Sequence, residues 1–294
     1  MPALPSPRTN VLPLVVLLTI VWGTNWGLFP LAVKEVSVWT FRAVSLLCSG
    51  ALVLLIAHLR GLSLRVPPRE RKPLAAAALS YLVIWNIAST YAAVLLPSGQ
   101  AAVLGFTMPI WATVLSWVVL RERPSARLVL AVVLAAGGVG CLAYAARGAY
   151  ASAPMGFVCG LGAGLGWAVG TLILKRAELS VPSIVSTGWQ LLIAGVPIAI
   201  IALLIGPREP FMPSWTTLIV IAYITIIPMS LGNVAWFAIA TTLPASVSGL
   251  SAVMVPMVAM VTGALFLREP LGPLQLAAMA CSACAMALVL IKRR

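Results

Sequence analysis

No aspartate occurs in the 294-residue sequence, and its acidic side chains are six glutamates, Glu35, Glu70, Glu122, Glu178, Glu209 and Glu269, all in turns or at the ends of apolar runs. In a chain this apolar, that leaves no carboxylate at mid-membrane depth, the usual relay of proton- or sodium-coupled pumps. Aspartyl proteolysis, which needs paired aspartates, is excluded with it. One histidine, His58, is too few for an H-E-x-x-H zinc cluster or for haem held by two imidazoles. Beside Arg60 near the end of an apolar run, it reads as an interfacial histidine, with proton coupling as the alternative. The five cysteines are odd in number and dispersed through apolar stretches, where a thiol behaves as a small hydrophobe. Cys281-x-x-Cys284 has no further ligands around it, so neither a disulfide framework nor a metal site follows, and no cofactor is implied.

Charge is scarce as well: 9% of residues are charged against 62% hydrophobic. A soluble domain of this length needs about a quarter charged residues to cover its surface, so the lipid bilayer is the natural solvent. At roughly 20 residues per span the chain has room for about ten spans and no extramembrane catalytic domain. The expected spans are 12–33, 36–59, 74–95, 98–119, 127–146, 155–174, 181–205, 215–238, 243–266 and 274–291. Turn chemistry separates them: Gly61 through Pro73, Arg121 to Ser125, Gly148 to Pro154, Gly206 to Pro213 and Arg268 to Pro273, with very short hairpin turns at Leu96-Pro97 and Leu243-Pro244. The first stretch is too long for a signal peptide and is followed by further apolar segments, so it reads as a span. The formal charge of +13 resides in short turns instead of a basic groove, which argues against nucleic acid.

What the sequence does contain is a duplication. Adding 147 carries Asn86 to Asn233, Pro97 to Pro244, Pro109 to Pro256 and Leu120-Arg121-Glu122 to Leu267-Arg268-Glu269. The expected fold is therefore an all-α polytopic membrane protein of ten transmembrane helices, built as two five-helix repeats, 1–147 and 148–294, around a central cavity. An odd number of spans per copy inverts the second copy in the bilayer, an arrangement found in secondary transporters with the substrate site between the copies. With a cytoplasmic N-terminus, fourteen Lys and Arg fall inside: Arg8; Arg60, Arg65, Arg69, Arg71 and Lys72; Arg121, Arg123 and Arg127; Lys175 and Arg176; Lys292, Arg293 and Arg294. Four fall outside, Lys34, Arg147, Arg208 and Arg268, so both termini are expected in the cytoplasm.

Candidate site residues follow from polar and aromatic side chains at helical spacing. Tyr81, Trp85 and Ser89 recur every four residues in the third span, with Asn86 and Thr90 on the adjoining face. Gln100, Leu104, Thr107 and Trp111 are expected on one face of the fourth. Asn25 and Trp26, Trp167 and Thr171, and Asn233 and Trp236 complete the set from spans one, six and eight. A tryptophan in a membrane protein also serves as an interfacial belt or packing residue. The amides need a partner wherever they are buried: another helix, water or substrate. Arg42 lies within the second span and has two readings, an anchor snorkelling to headgroups near Glu35 or a ligand for a substrate carboxylate. Pro30, Pro109, Pro228 and Pro256 mark bends, Pro109 and Pro256 being equivalent in the two copies and either static kinks or hinges. The six glycines of span six, Gly156 to Gly170, read as helix-packing positions instead of a nucleotide loop.

Val21-Trp22-Gly23-Thr24-Asn25, Phe41-Arg42 and the duplicated Pro109…Leu120-Arg121-Glu122 pattern resemble the drug/metabolite transporter superfamily, EamA type, over essentially the full length. Within it, the chain is similar to bacterial aromatic amino-acid exporters. The resemblance implies that spans one to four and six to nine enclose the cavity while five and ten are peripheral. It also implies an inner-membrane exporter, not an enzyme, for small neutral metabolites, aromatic or other apolar amino acids first, with a broad drug, nucleoside or vitamin carrier as the alternative. Gly166-Trp167-Ala168 stands where the first copy has Trp22-Gly23-Thr24-Asn25, so a strictly twofold site is not expected. The oligomeric state is left open, a monomer included.

Overall fold

Backbone amides in hydrocarbon must find partners within the segment, which makes helices the default for a chain this apolar. The computed structural model describes residues 12–121, 123–205, 213–242, 252, 254–268 and 271–290, and all regular structure among them is helical. Eight helices are long and apolar enough to cross a membrane: α1 Leu12–Ala32, α2 Val38–Leu59, α3 Pro68–Leu95, α4 Gly99–Leu120, α5 Ala126–Ala145, α6 Pro154–Ala177, α7 Ser183–Ile205 and α8 Trp215–Thr242. Two further apolar helices follow, α9 Val255–Leu267 and α10 Pro273–Leu290. The Leu243-Pro244 turn, Glu122, Glu209 and Glu269 lie outside the described residues.

Helix starts obey local chemistry. Ser37, Ser125 and Ser214 cap α2, α5 and α8, each hydroxyl accepting from a backbone N–H three residues on. The start of α3 is earlier than its turn-like sequence suggests. Pro68 occupies the first helical turn, where a missing N–H costs nothing, and the helix then runs through Pro73.

The duplication is visible in backbone detail. Both α3 and α8 contain a π-helical segment, Ala78–Val83 and Thr225–Gly232, beginning at equivalent residues. After each, an asparagine turns its amide back on its own helix: Asn86 Nδ2 donates to Leu82 O and Asn233 Nδ2 to Met229 O, both at 2.7 Å. The fourth and ninth helices both end on an arginine in the left-handed conformation, Arg121 and Arg268, each with φ 56°.

Packing crosses between the copies. α6 lies against α3 and α4, and its equivalent α1 lies against α8 and α9; α2 pairs with α7, and α5 with α10. Glycines of α6 permit the close approach: a Cβ on Gly170 would enter the Tyr81 ring, and one on Gly164 would meet Thr107 and the Gly105 carbonyl. Gly162 faces open space and is not a packing position. Two carboxylates tie the copies at helix ends. Glu35, in the α1–α2 turn, accepts from the backbone N–H and hydroxyl of Ser214 at 2.7 and 2.9 Å. Glu70, in the first turn of α3, accepts from the N–H and hydroxyl of Ser180 at 3.0 and 2.6 Å.

Candidate substrate site between the two copies

A broken helix opens the site. Pro30 has no N–H to give the Trp26 carbonyl, which instead accepts from Phe29 in a 3-10 turn spanning Trp26–Leu28. Thr24 adds a bond from its hydroxyl to Ile20 O and another contact, at 3.2 Å, with the Tyr223 hydroxyl. The result directs Trp22, Asn25, Trp26 and Phe29 inward, a spacing of three, four and seven residues along one helical face. From the second copy, the π-helical turn of α8 presents the Pro228 carbonyl, which accepts from the Trp22 indole N–H at 3.1 Å. Gly232 leaves the room for that indole.

These side chains surround a cavity of about 30 Å³. It is lined from the first copy by the α1 residues together with Arg42, Leu82, Trp85, Asn86 and Phe106, and from the second by Trp167, Pro228, Met229 and Asn233. Trp167 is its hub. Its ring centroid lies 5.2 Å from that of Trp22, 4.8 Å from Tyr81, 4.7 Å from Trp85 and 5.4 Å from Trp236, in edge-to-face arrangements favoured by the ring quadrupoles. Residues of this lining carry polar atoms without partners: the Oδ1 atoms of Asn25, Asn86 and Asn233, the Trp167 indole nitrogen and Nη2 of Arg42. Buried polar groups are normally paired, so such a cluster marks a place that a polar ligand or water completes.

Arg42 does not reach the interface. It is 1% exposed, its Nε donates to Thr90 Oγ1, and its guanidinium carbon sits 4.3 Å above the Phe29 ring and 4.7 Å from that of Phe41. The snorkelling reading fails because α2 is enclosed by α7, α3 and the π turn of α8, leaving no route for the side chain to headgroups.

Of the residues expected at the site, Asn25, Trp26, Trp85, Asn86, Trp167 and Asn233 line the cavity, and Tyr81 and Trp236 stand behind Trp167. Gln100 and Trp111 do not come to it. α4 is interrupted at Phe106 and Thr107, between Gln100 and Trp111. Gln100 lines a separate cavity of about 190 Å³ with Leu142, Ala146, Met260 and Gln275. Trp111 is half-buried and donates to Thr107 Oγ1 of its own helix at 3.2 Å. Trp22, Phe29 and Phe106 went unrecognised in the sequence; the spacing of Trp22 and Phe29 around Asn25-Trp26 was the available signal for two of them.

Pro109 and Pro256 each lie in the first turn of a helix, Met108–Leu120 and Val255–Leu267, where a proline forfeits no intrahelical bond, and Pro109 follows directly on the break at Phe106 and Thr107. Both line one narrow cleft among α4, α5, α9 and α10.

A wider cavity, of about 320 Å³, opens beside the α6–α7 turn and is lined by Thr171, Lys175, Glu178, Ser186, Trp236 and Phe237 among others. Trp236 belongs to its wall and also touches Trp167, so a layer of Tyr81, Trp167, Trp236 and Phe237 separates this vestibule from the inner cavity.

Comparison with known proteins agrees with this duplicated helical architecture. A solved crystal structure superposes with a TM-score of 0.76, covering 96% of this chain and 98% of its own, at 18% identity. The uncharacterized transporter YvbV of Bacillus subtilis is 27% identical over 268 residues, 90% of this chain and 86% of that protein. The uncharacterized inner membrane transporter YedA of Escherichia coli K12 is 26% identical over 214 residues, 71% and 67% of the two chains. Protein PecM of Dickeya dadantii is 28% identical over 188 residues, 63% and 62%. The EamA-like transporter family matches twice, at residues 10–144 and 154–291, one match to each copy of the duplicated unit, and this chain, a multi-pass membrane protein, belongs to that family.

Proposed function

We propose that the chain is an alternating-access exporter of the bacterial inner membrane for small, overall neutral metabolites, aromatic and other apolar amino acids foremost. Its ten spans form two inverted five-helix copies, both termini are cytoplasmic, and substrate binds where the copies meet. The observation that carries this reading is the composition of the inner cavity: aromatic rings from both copies around three asparagines whose amide oxygens have no partner. Rings present stacking surfaces for an aromatic side chain, and amide oxygens accept from an ammonium group. A cavity of about 30 Å³ holds little more than a water molecule, so loading requires the aromatic layer to part. The absence of aspartate and the placement of the six glutamates in turns or at the ends of apolar runs of the sequence favour flux driven by the substrate gradient.

The test is counterflow in liposomes reconstituted with the purified protein. Preloaded phenylalanine or tryptophan is expected to drive uptake of the labelled amino acid without a pH gradient, at rates well above protein-free liposomes. Absence of such flux for aromatic and aliphatic amino acids alike, with robust flux of a nucleoside or vitamin, would replace the amino-acid reading with the broader carrier.

A further inference from the structure

We infer that Arg42 is the carboxylate-binding residue of the inner cavity and that it, more than the aromatic walls, restricts the substrate to molecules carrying a carboxylate. This rests on the proposed transport site and adds its electrostatic requirement.

A guanidinium 1% exposed within a membrane protein is costly unless a counter-charge or a full set of acceptors surrounds it. Among the described residues no carboxylate pairs with Arg42, whose one hydrogen-bond partner is Thr90. Aspartate is absent from the sequence, and of the described glutamates Glu35 is held by Ser214 and Glu70 by Ser180. What Arg42 has is orientation. Its Nε is fixed on Thr90 Oγ1, whose own hydroxyl is committed to the Asn86 carbonyl at 2.7 Å. The faces of Phe29 and Phe41 support the cation. With Nε engaged, Nη2 lacks a partner and the side chain borders the cavity. A planar donor that keeps a free N–H while a second is anchored is suited to an incoming carboxylate, which supplies the missing charge and acceptors together. Asn25, Asn86 and Asn233, whose amide oxygens are unpaired, line the same cavity, and such oxygens carry partial negative charge that complements a cationic group on the same ligand. Arg42 thus recognises the anionic half of a zwitterion, and the asparagines its cationic half.

Four phenyl probes separate the contributions: L-phenylalanine, 3-phenylpropionate, L-phenylalaninamide and phenethylamine. The readout is the ligand-induced shift in melting temperature of the full-length protein in detergent, titrated to give an apparent affinity. Both carboxylates are expected to stabilise the wild type, and the amide and amine to bind at least about ten-fold more weakly. Arg42→Gln should lose the carboxylate shifts, and Arg42→Lys, which keeps the charge without the fork, should retain part of them. Equal shifts from all four probes, carboxylate shifts that survive in Arg42→Gln, or no carboxylate shift at all would overturn the assignment. Should Arg42→Gln fail to fold, the four probes on wild type decide the matter alone. The outcome is separable from that of the transport reading: 3-phenylpropionate binding that needs Arg42, in a protein showing no phenylalanine counterflow, keeps the carboxylate site and removes the amino-acid exporter.

Discussion

Trp167 touches four other aromatic side chains, lines the cavity and carries an indole N–H that has no partner. Its removal therefore mixes two effects. Trp167→Ala should destabilise the protein by about 3–5 kcal/mol through the cavity it leaves, so the conservative change is the informative one. Trp167→Phe keeps a ring against Trp22 and Trp85, and the ratio of aromatic to aliphatic amino-acid counterflow is expected to fall several-fold with little change in melting temperature. Equal loss for phenylalanine and alanine would make Trp167 a packing residue without a role in substrate choice. The sequence disclosed the asparagines and most tryptophans of this region because amides and large rings are conspicuous among aliphatic neighbours. It left the role of Arg42 undecided, since its distance from headgroups depends on which helices enclose α2, and that is a property of the assembled bundle.

At the scale of elements, helix existence was legible and helix interruption was not. Among the described residues span limits agreed to within a few residues except at the start of α3, because a proline pair that reads as a turn also suits a first helical turn; the first part of the ninth expected span lies outside the described residues. The π segments of α3 and α8 left no sequence signal that apolar periodicity could register, and the break at Phe106–Thr107 interrupts the expected Gln100 to Trp111 face. Element packing makes its own prediction. Gly170→Val, which drives a side chain into Tyr81 where α6 meets α3, should cost about 1–3 kcal/mol. Gly162→Val, on open space, should cost much less; equal melting temperatures for the two variants would contradict the close approach of α6 and α3. The helix-end ties add a pH dependence. The backbone N–H of Ser214, then its hydroxyl, hold the Glu35 carboxyl below its ordinary value of 4.5. A carboxylate whose folded-state pKa is depressed contributes its stability above the unfolded value and loses it as pH falls through the folded one. Glu35→Gln should consequently lower the melting temperature at pH 7 and have progressively less effect as pH is taken below 4.5. A difference from wild type that stays constant down to low pH would show that ionisation of Glu35 contributes nothing to the tie.

For the whole molecule, the paired contacts, α6 on α3 and α4 matched by α1 on α8 and α9, describe two copies exchanging equivalent surfaces. A transporter built this way can reach a second state by trading the packing of one copy for that of the other, with the aromatic layer as the barrier that must part. In the proposed topology the α4–α5 turn, the vestibule and the α6–α7 turn face the cytoplasm, and the α9–α10 turn faces outward. Single cysteines at Ser125, Thr241 and Pro273 in a background without the native cysteines test this arrangement. In sealed right-side-out vesicles an impermeant maleimide should modify the Pro273 position and spare the other two, and inverted vesicles should reverse the pattern. Both turns labelling from one side would eliminate the inverted repeat. Thr241 is exposed beside the vestibule wall, so its labelling rate also reports on the state of that opening. If the described conformation is the cytoplasm-facing one, Thr241 should react readily without substrate, and a saturating transported amino acid should change the rate as the population redistributes. A rate indifferent to every transported substrate would mean that the vestibule is not part of the transport route.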